Sequence, residues 1–146
     1  MHTDWGRGYN VAQGYTYGFY REMAPHWLDY AVQLAGQRPP AQAAQAPLRY
    51  LELGCGQGMN LLVMAAACPE IEFVGVDFHP LHIAHAQRLA QVAGLANVQF
   101  HEEDFAVLAH AWPQALGRFD YVALHGIYTW VTPELRRAVV QCLDQA

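Results

Sequence analysis

Lysine is absent from this sequence: all eight cations are arginine, against thirteen acidic side chains, and the net charge is −5. A general nucleic-acid surface needs clustered positive charge, so this balance argues against nucleic acid and points to a small or protein-borne substrate. Cysteine is scarce too. Cys55, Cys68 and Cys142 stand far apart with no C-x-x-C spacing, so neither a disulfide framework nor a zinc ribbon is indicated, and all three read as small apolar fillers. No apolar run approaches the roughly 20 residues a membrane span needs. The first residues, MHTDWGRGYN, lack the apolar core of a signal peptide. A cytoplasmic protein with no membrane partner is expected.

What is present suits one globular domain: 146 residues, 53% of them hydrophobic and 12% aromatic, supply ample material for a core. The first stretch, WGRGYNVAQGYTYGFY, interleaves Trp5, Tyr9, Tyr15, Tyr17, Phe19 and Tyr20 with glycines, a mixture too glycine-rich for an ordinary helix. From Pro25 the pattern turns helical, with Met23, Trp27, Tyr30, Ala31 and Leu34 at helical spacing and a stop near Gly36. A Pro/Ala/Gln connector follows. The chain thus divides into an N-terminal extension (1–38), a linker (39–47) and a main body (48–146).

In the main body strand and helix patterns alternate. LRYLEL (48–53), EFVGVD (72–77), NVQFHEED and FDYVALHG read as strands. GMNLLVMAAAC and PLHIAHAQRLAQVAG read as helices, FAVLAHAWPQAL as at most a short helix broken by Pro113. A last helix opens with Thr132 as N-cap and Pro133 in its first turn, and Leu135, Ala138, Val139, Cys142 and Leu143 form its apolar stripe. Such alternation predicts an α/β fold, a parallel sheet with helices on both faces. Ligands bind such sheets at the carboxyl ends of the strands.

At that end of the first strand stands YLELGCGQGMN, with Gly54, Gly56 and Gly58 at alternate positions and the acid Glu52 two residues ahead. Glycine tolerates φ > 0 and lets backbone approach a ligand closely. A dinucleotide turn typically reads G-x-G-x-x-G, with pyrophosphate on the helix N-terminus; the spacing here is G-x-G-x-G, which disfavours a nicotinamide-dependent oxidoreductase. Asp77 ends the second strand, 19 residues after Gly58, where an acid can accept both ribose hydroxyls of an adenosine. His79, His82 and His85 invite a metal reading, but successive steps of three wind around a helix and spread the outer pair, so no metal site is assigned.

E-x-G-x-G-x-G resembles motif I of the class I S-adenosylmethionine-dependent methyltransferases. Together LELGCGQGMN, VGVDFHP, EEDF and FDYVALHGIYTWV extend the resemblance over residues 48–131. More narrowly, YTYGFY, the ELGCGQGMN turn and HGIYTW resemble bacterial methyltransferases that carry a methyltransferase regulatory domain. The resemblance implies a Rossmann-like domain that binds S-adenosyl-L-methionine and releases S-adenosyl-L-homocysteine. It implies a turn of Glu52, Gly54, Cys55, Gly56, Gly58 and Asn60 against the methionine half and ribose, and Phe78 on the adenine face. Asp104 takes the adenine amino group with Phe105 behind it, and His125 faces the transferable methyl. Tyr17 and Tyr20 are candidates to close over the cofactor, and His125 is the candidate base, since an imidazole suits proton transfer at neutral pH.

The family's sheet runs well beyond four strands, whereas this sequence stops after the helix that follows its fourth. That implies an N-terminal fragment with an apolar edge on the fourth strand, covered by the missing C-terminal part or by a second copy in a homodimer. A non-catalytic module that holds S-adenosylmethionine or S-adenosylhomocysteine is the alternative to a methyltransferase.

Overall fold

The computed structural model describes Tyr9, residues 16–40 and residues 46–146; Trp5 and Tyr15 of the aromatic run and residues 41–45 of the connector lie outside the described residues. Four strands, β1 (Arg49–Leu53), β2 (Glu72–Asp77), β3 (Val98–Glu102) and β4 (Tyr121–Leu124), pair in parallel in the order β3-β2-β1-β4. Among the described residues five α-helices accompany them: α1 (Pro25–Leu34), α2 (Met59–Ala67), α3 (Pro80–Val92), α4 (Phe105–His110) and α5 (Pro133–Gln145). The chain lays β2 and β3 outward on one side of β1, then returns to place β4 on the other. That reversal opens a crevice at the carboxyl ends of β1 and β4.

The period-two rule divides β1, β2 and β4 between two cores, while β3 gives Val98 and Phe100 to the first. Tyr50 and Phe73 join Leu61, Met64, Ile83 and Phe100 under α2 and α3. Leu51, Leu53, Val74 and Val76 join Leu108 and Val139 under α4 and α5. Helices therefore cover both faces, as the alternation predicts, and each fully buried side chain of this size stabilises the fold by about 1.5–3 kcal/mol. Asn97 fastens the loop before β2, its amide sharing its hydrogens among the carbonyls of Ala65, Cys68 and Ile71 at 3.0–3.1 Å.

Side chains cap two of the helices. Asp104 Oδ1 accepts from the Ala106 amide at 2.7 Å and so caps α4, which ends before Pro113. Thr132 Oγ1 accepts from the Leu135 amide at the start of α5. Two apolar faces are partly or wholly turned outward. In α1 the spaced residues Trp27, Tyr30 and Leu34 are exposed, because the helix is tethered on its other side: Leu28 packs on the first core, and the Tyr121 hydroxyl donates to Asp29 Oδ1 at 2.7 Å. In α5 Leu143 lies outside the buried stripe of Leu135, Ala138, Val139 and Cys142.

Strand β4 is an edge, and Val122, Ala123 and Leu124 are only half-buried there. No described helix is long and apolar enough to cross a membrane.

Candidate functional site

The turn after β1 is built around left-handed backbone: Gly54, Gly56 and Gly58 have φ of 74°, 54° and 76°. Only glycine adopts such angles without penalty. At Gly58 there is a second demand, because a Cβ would lie 2.7 Å from both Ala86 Cβ and Phe100 Cε1. The turn is stitched to β2 by backbone bonds from Gly54 and Cys55 to the Val76 carbonyl, at 2.7 and 3.1 Å. Asp77 completes the stitch: Oδ2 accepts from the Gly56 amide and Oδ1 from the His79 amide, both at 2.9 Å. Burial raises the Asp77 carboxyl against the lowering effect of these two bonds.

Beside this turn a cavity of about 310 Å³ opens at the ends of β1 and β4, within the usual size range of small-molecule sites. Of the residues named from sequence, Tyr20, Glu52, Gly54, Cys55, Gly56, Asn60 and His125 line it. Glu52 is 5% exposed and accepts from Asn60 Nδ2 at 3.1 Å. Burial, with the Asp77 charge adding and the Asn60 bond opposing, pushes its carboxyl up to about 7. Asn60 faces both ways, since its Oδ1 accepts from the Tyr20 amide at 3.0 Å. The opening residues of the main body are thereby tied to the N-terminal segment. Among the described residues, no lysine or arginine lines the cavity.

Cys55 lines the cavity as a buried thiol, held well above its ordinary value by burial first and then by the Asp77 and Glu52 charges. A thiol so held is a filler and not a nucleophile. His125 is exposed at the rim, its ring 4.0 Å from that of Tyr20.

The remaining named residues lie elsewhere. Gly58 packs behind the turn, Asp77 lies beneath it, and Tyr17 is exposed with its ring 6.1 Å from that of His85. Phe78, Asp104 and Phe105 gather beside the cavity around a residue that sequence reasoning did not assign to the site, Tyr9. Its ring stacks on Phe78 at 4.0 Å and 14°, and its hydroxyl oxygen accepts from the Phe105 amide at 3.0 Å. Ile127, Trp130 and Val131 also line the cavity; they lie in the stretch FDYVALHGIYTWV that carries part of the resemblance, but none of them was named as a site residue. They follow β4 in a loop with no periodic pattern to announce it, and Tyr9 was one of several similar aromatics.

The histidines on and before α3 do not form a metal-ligand group among the described residues. His79 and His82 stack at 4.0 Å, and burial, followed by the charges of His79 and His85, holds His82 down at about 4. One mixed cluster, His26, Cys68 and Glu70, brings its donor atoms within 4.8 Å of one another. Two of its three members are exposed, and the 3.8 Å contact from Cys68 Sγ to His26 Nδ1 joins α1 to the end of α2.

The chain is 38% identical over 141 residues to an uncharacterized protein of Synechocystis sp., covering 97% of this chain and 27% of that one. It is 34% identical over 113 residues to the demethylmenaquinone methyltransferase of Thermus thermophilus, covering 72% and 49%. Among solved structures, PKMT2 from Rickettsia typhi in complex with AdoHcy superposes with a TM-score of 0.79 at 26% identity, covering 90% of this chain and 24% of that one. The chain thus spans about a quarter of the length of two of these relatives. A family model described as a methyltransferase domain matches residues 45–146, and on that match over most of its length the chain belongs to the methyltransferase domain family.

Proposed function

We propose that this chain is the S-adenosylmethionine-binding part of a methyltransferase, acting on a small or protein-borne acceptor. One observation carries the reading: the cavity pairs a glycine turn with a buried carboxyl, Glu52, and among the described residues its lining offers no arginine or lysine. A pyrophosphate would meet Glu52 as a like charge. A ligand bearing a sulfonium and an ammonium meets it as a partner. The AdoHcy complex of PKMT2 and the methyltransferase activity named for the Thermus relative support the same reading.

Asp77 is the ribose partner. Its carboxylate spends two acceptor positions on backbone amides, of the roughly four it has. Glu52, held by Asn60, receives the ammonium end. Phe78 offers a π face to adenine, and the Phe105 amide a donor, with Asp104 beside it. When bound, S-adenosylmethionine supplies a methyl group already activated by its sulfonium for in-line displacement. The chain's contribution is then position and orientation. His125, at the rim and next to Tyr20, is the group placed to accept a proton from an acceptor that arrives protonated. The absence of lysine and the net charge of −5 favour acceptors other than nucleic acid. The half-buried edge β4 takes a further strand, from a longer chain or from a second copy.

Calorimetry with S-adenosylmethionine, S-adenosylhomocysteine and NAD tests the reading. Heat with the first two and none with NAD is expected; heat with NAD alone sinks it. Binding without transfer to any acceptor assigns the chain to a non-catalytic module.

A further inference from the structure

Adenine asks two things of a protein: an aromatic face to stack on, and an amide donor for a ring nitrogen. Beside the cavity both are present, and both are in use. The face of Phe78 carries the Tyr9 ring at 4.0 Å and 14°, which is a full stack. The Phe105 amide donates to the Tyr9 hydroxyl oxygen at 3.0 Å, and the two rings lie 5.7 Å apart at 50°. The Tyr9 backbone is held as well, by an antiparallel bridge to Val131 in the loop after β4. Tyr9 therefore meets the two partners that adenine requires, with a flat ring and an oxygen acceptor at its edge.

We propose that Tyr9 is an adenine surrogate: its ring holds the adenine seat of the free chain, and a bound cofactor must displace it. The proposal rests on the cofactor reading given above. Phe78 cannot stack the same face on two rings, and the Phe105 amide has one hydrogen, so occupancy by Tyr9 and by adenine is mutually exclusive. Apparent affinity then falls by the fraction of molecules whose seat is open. Tyr9 contests the adenosine end and not the sulfur, so S-adenosylmethionine and S-adenosylhomocysteine are weakened by the same factor. The consequence is a weaker hold on product, obtained at equal cost in cofactor affinity.

The test is calorimetry with both ligands on the wild-type chain, Tyr9→Ala and Tyr9→Phe, with amide exchange at Phe105 measured in the ligand-free proteins. Tyr9→Ala is expected to tighten both ligands by about tenfold, by removal of one stack and one hydrogen bond. Tyr9→Phe keeps the stack and loses the acceptor, so its gain is smaller, about two- to threefold, and its Phe105 amide exchanges faster than that of wild type. Unchanged or weaker binding by Tyr9→Ala overturns the surrogate while leaving the cofactor reading intact. Equal exchange at Phe105 in wild type and Tyr9→Phe overturns it without reference to any ligand. Failure of all three proteins to bind either ligand overturns the cofactor reading, and the surrogate falls with it.

Discussion

The floor and the rim of the cavity are built by different means. On the floor, Glu52, Asn60, Asp77 and the glycine turn are buried and joined by hydrogen bonds of 2.9–3.1 Å. At the rim, His125 and Trp130 are exposed, and the contact that holds His125 is a tilted pairing with the Tyr20 ring. A buried polar group must have its partners, or the fold loses stability. An exposed ring has water for an alternative. The floor is thus bound up with folding, whereas the rim is free to serve the ligand and the acceptor.

The largest test of this contrast is Gly58→Val. The substitution forces a β-branched residue to φ of 76° and sets its Cβ 2.7 Å from Ala86 and Phe100. Left-handed strain of about 1–2 kcal/mol and overpacking of about 1–3 kcal/mol add in the same direction. Thermal melting is expected to show a loss of about 2–5 kcal/mol or a chain that does not fold. A melting point within a degree of wild type would show that the turn is not fixed by packing.

Glu52 gives the next effect, and its sign follows from linkage. Its folded carboxyl titrates near 7 against an ordinary 4.5, so between those values the folded chain keeps a proton that the unfolded chain releases. Stability therefore falls as pH rises through this window and levels off above it, by about 3 kcal/mol at 1.36 kcal/mol per unit. Glu52→Gln is expected to remove most of that slope, seen as urea midpoints compared at pH 5 and pH 8. An unchanged slope would place the titrating group elsewhere. Asp77→Ala follows, with a loss of about 2 kcal/mol in the same urea assay, since it leaves the amides of Gly56 and His79 without their acceptor.

The same contrast decides what could be read from the sequence. The floor was legible because its constraints are local: alternate glycines, an acid two positions ahead, and an acid closing the next strand are each forced by backbone geometry or by burial. The parallel sheet was legible too, from strands and helices that alternate. The outward face of α1 was not, because Trp27, Tyr30 and Leu34 have helical spacing whichever side meets the sheet, and the side is chosen by Tyr121 and Asp29 from opposite ends of the chain. Tyr9 was not, because its partners Phe78, Phe105 and Val131 are distant in sequence and any of several neighbouring aromatics offered the same chemistry. Asp104 was read as a ligand to adenine; its visible work is to cap α4 and to bond the Tyr9 hydroxyl, the same group that the Phe105 amide meets.

At the rim the expected stability effect is the smallest. His125 is exposed, its visible tie is the Tyr20 ring, and no hydrogen bond from its side chain is among those that hold the floor. An exposed ring contact of this kind contributes at most about 0.5–1.5 kcal/mol, and water compensates the lost imidazole. His125→Ala is therefore expected to melt within about 0.5 kcal/mol of wild type, as surface substitutions generally do, and to bind S-adenosylhomocysteine within about threefold, because the ligand's own partners lie on the floor. A loss of several kcal/mol in the melt would join His125 to the floor and erase the division. A loss of affinity with an unchanged melt would move it from the acceptor's side of the cavity to the cofactor's. The proton-accepting role requires the third result, in which fold and affinity are both kept and only transfer to the acceptor fails.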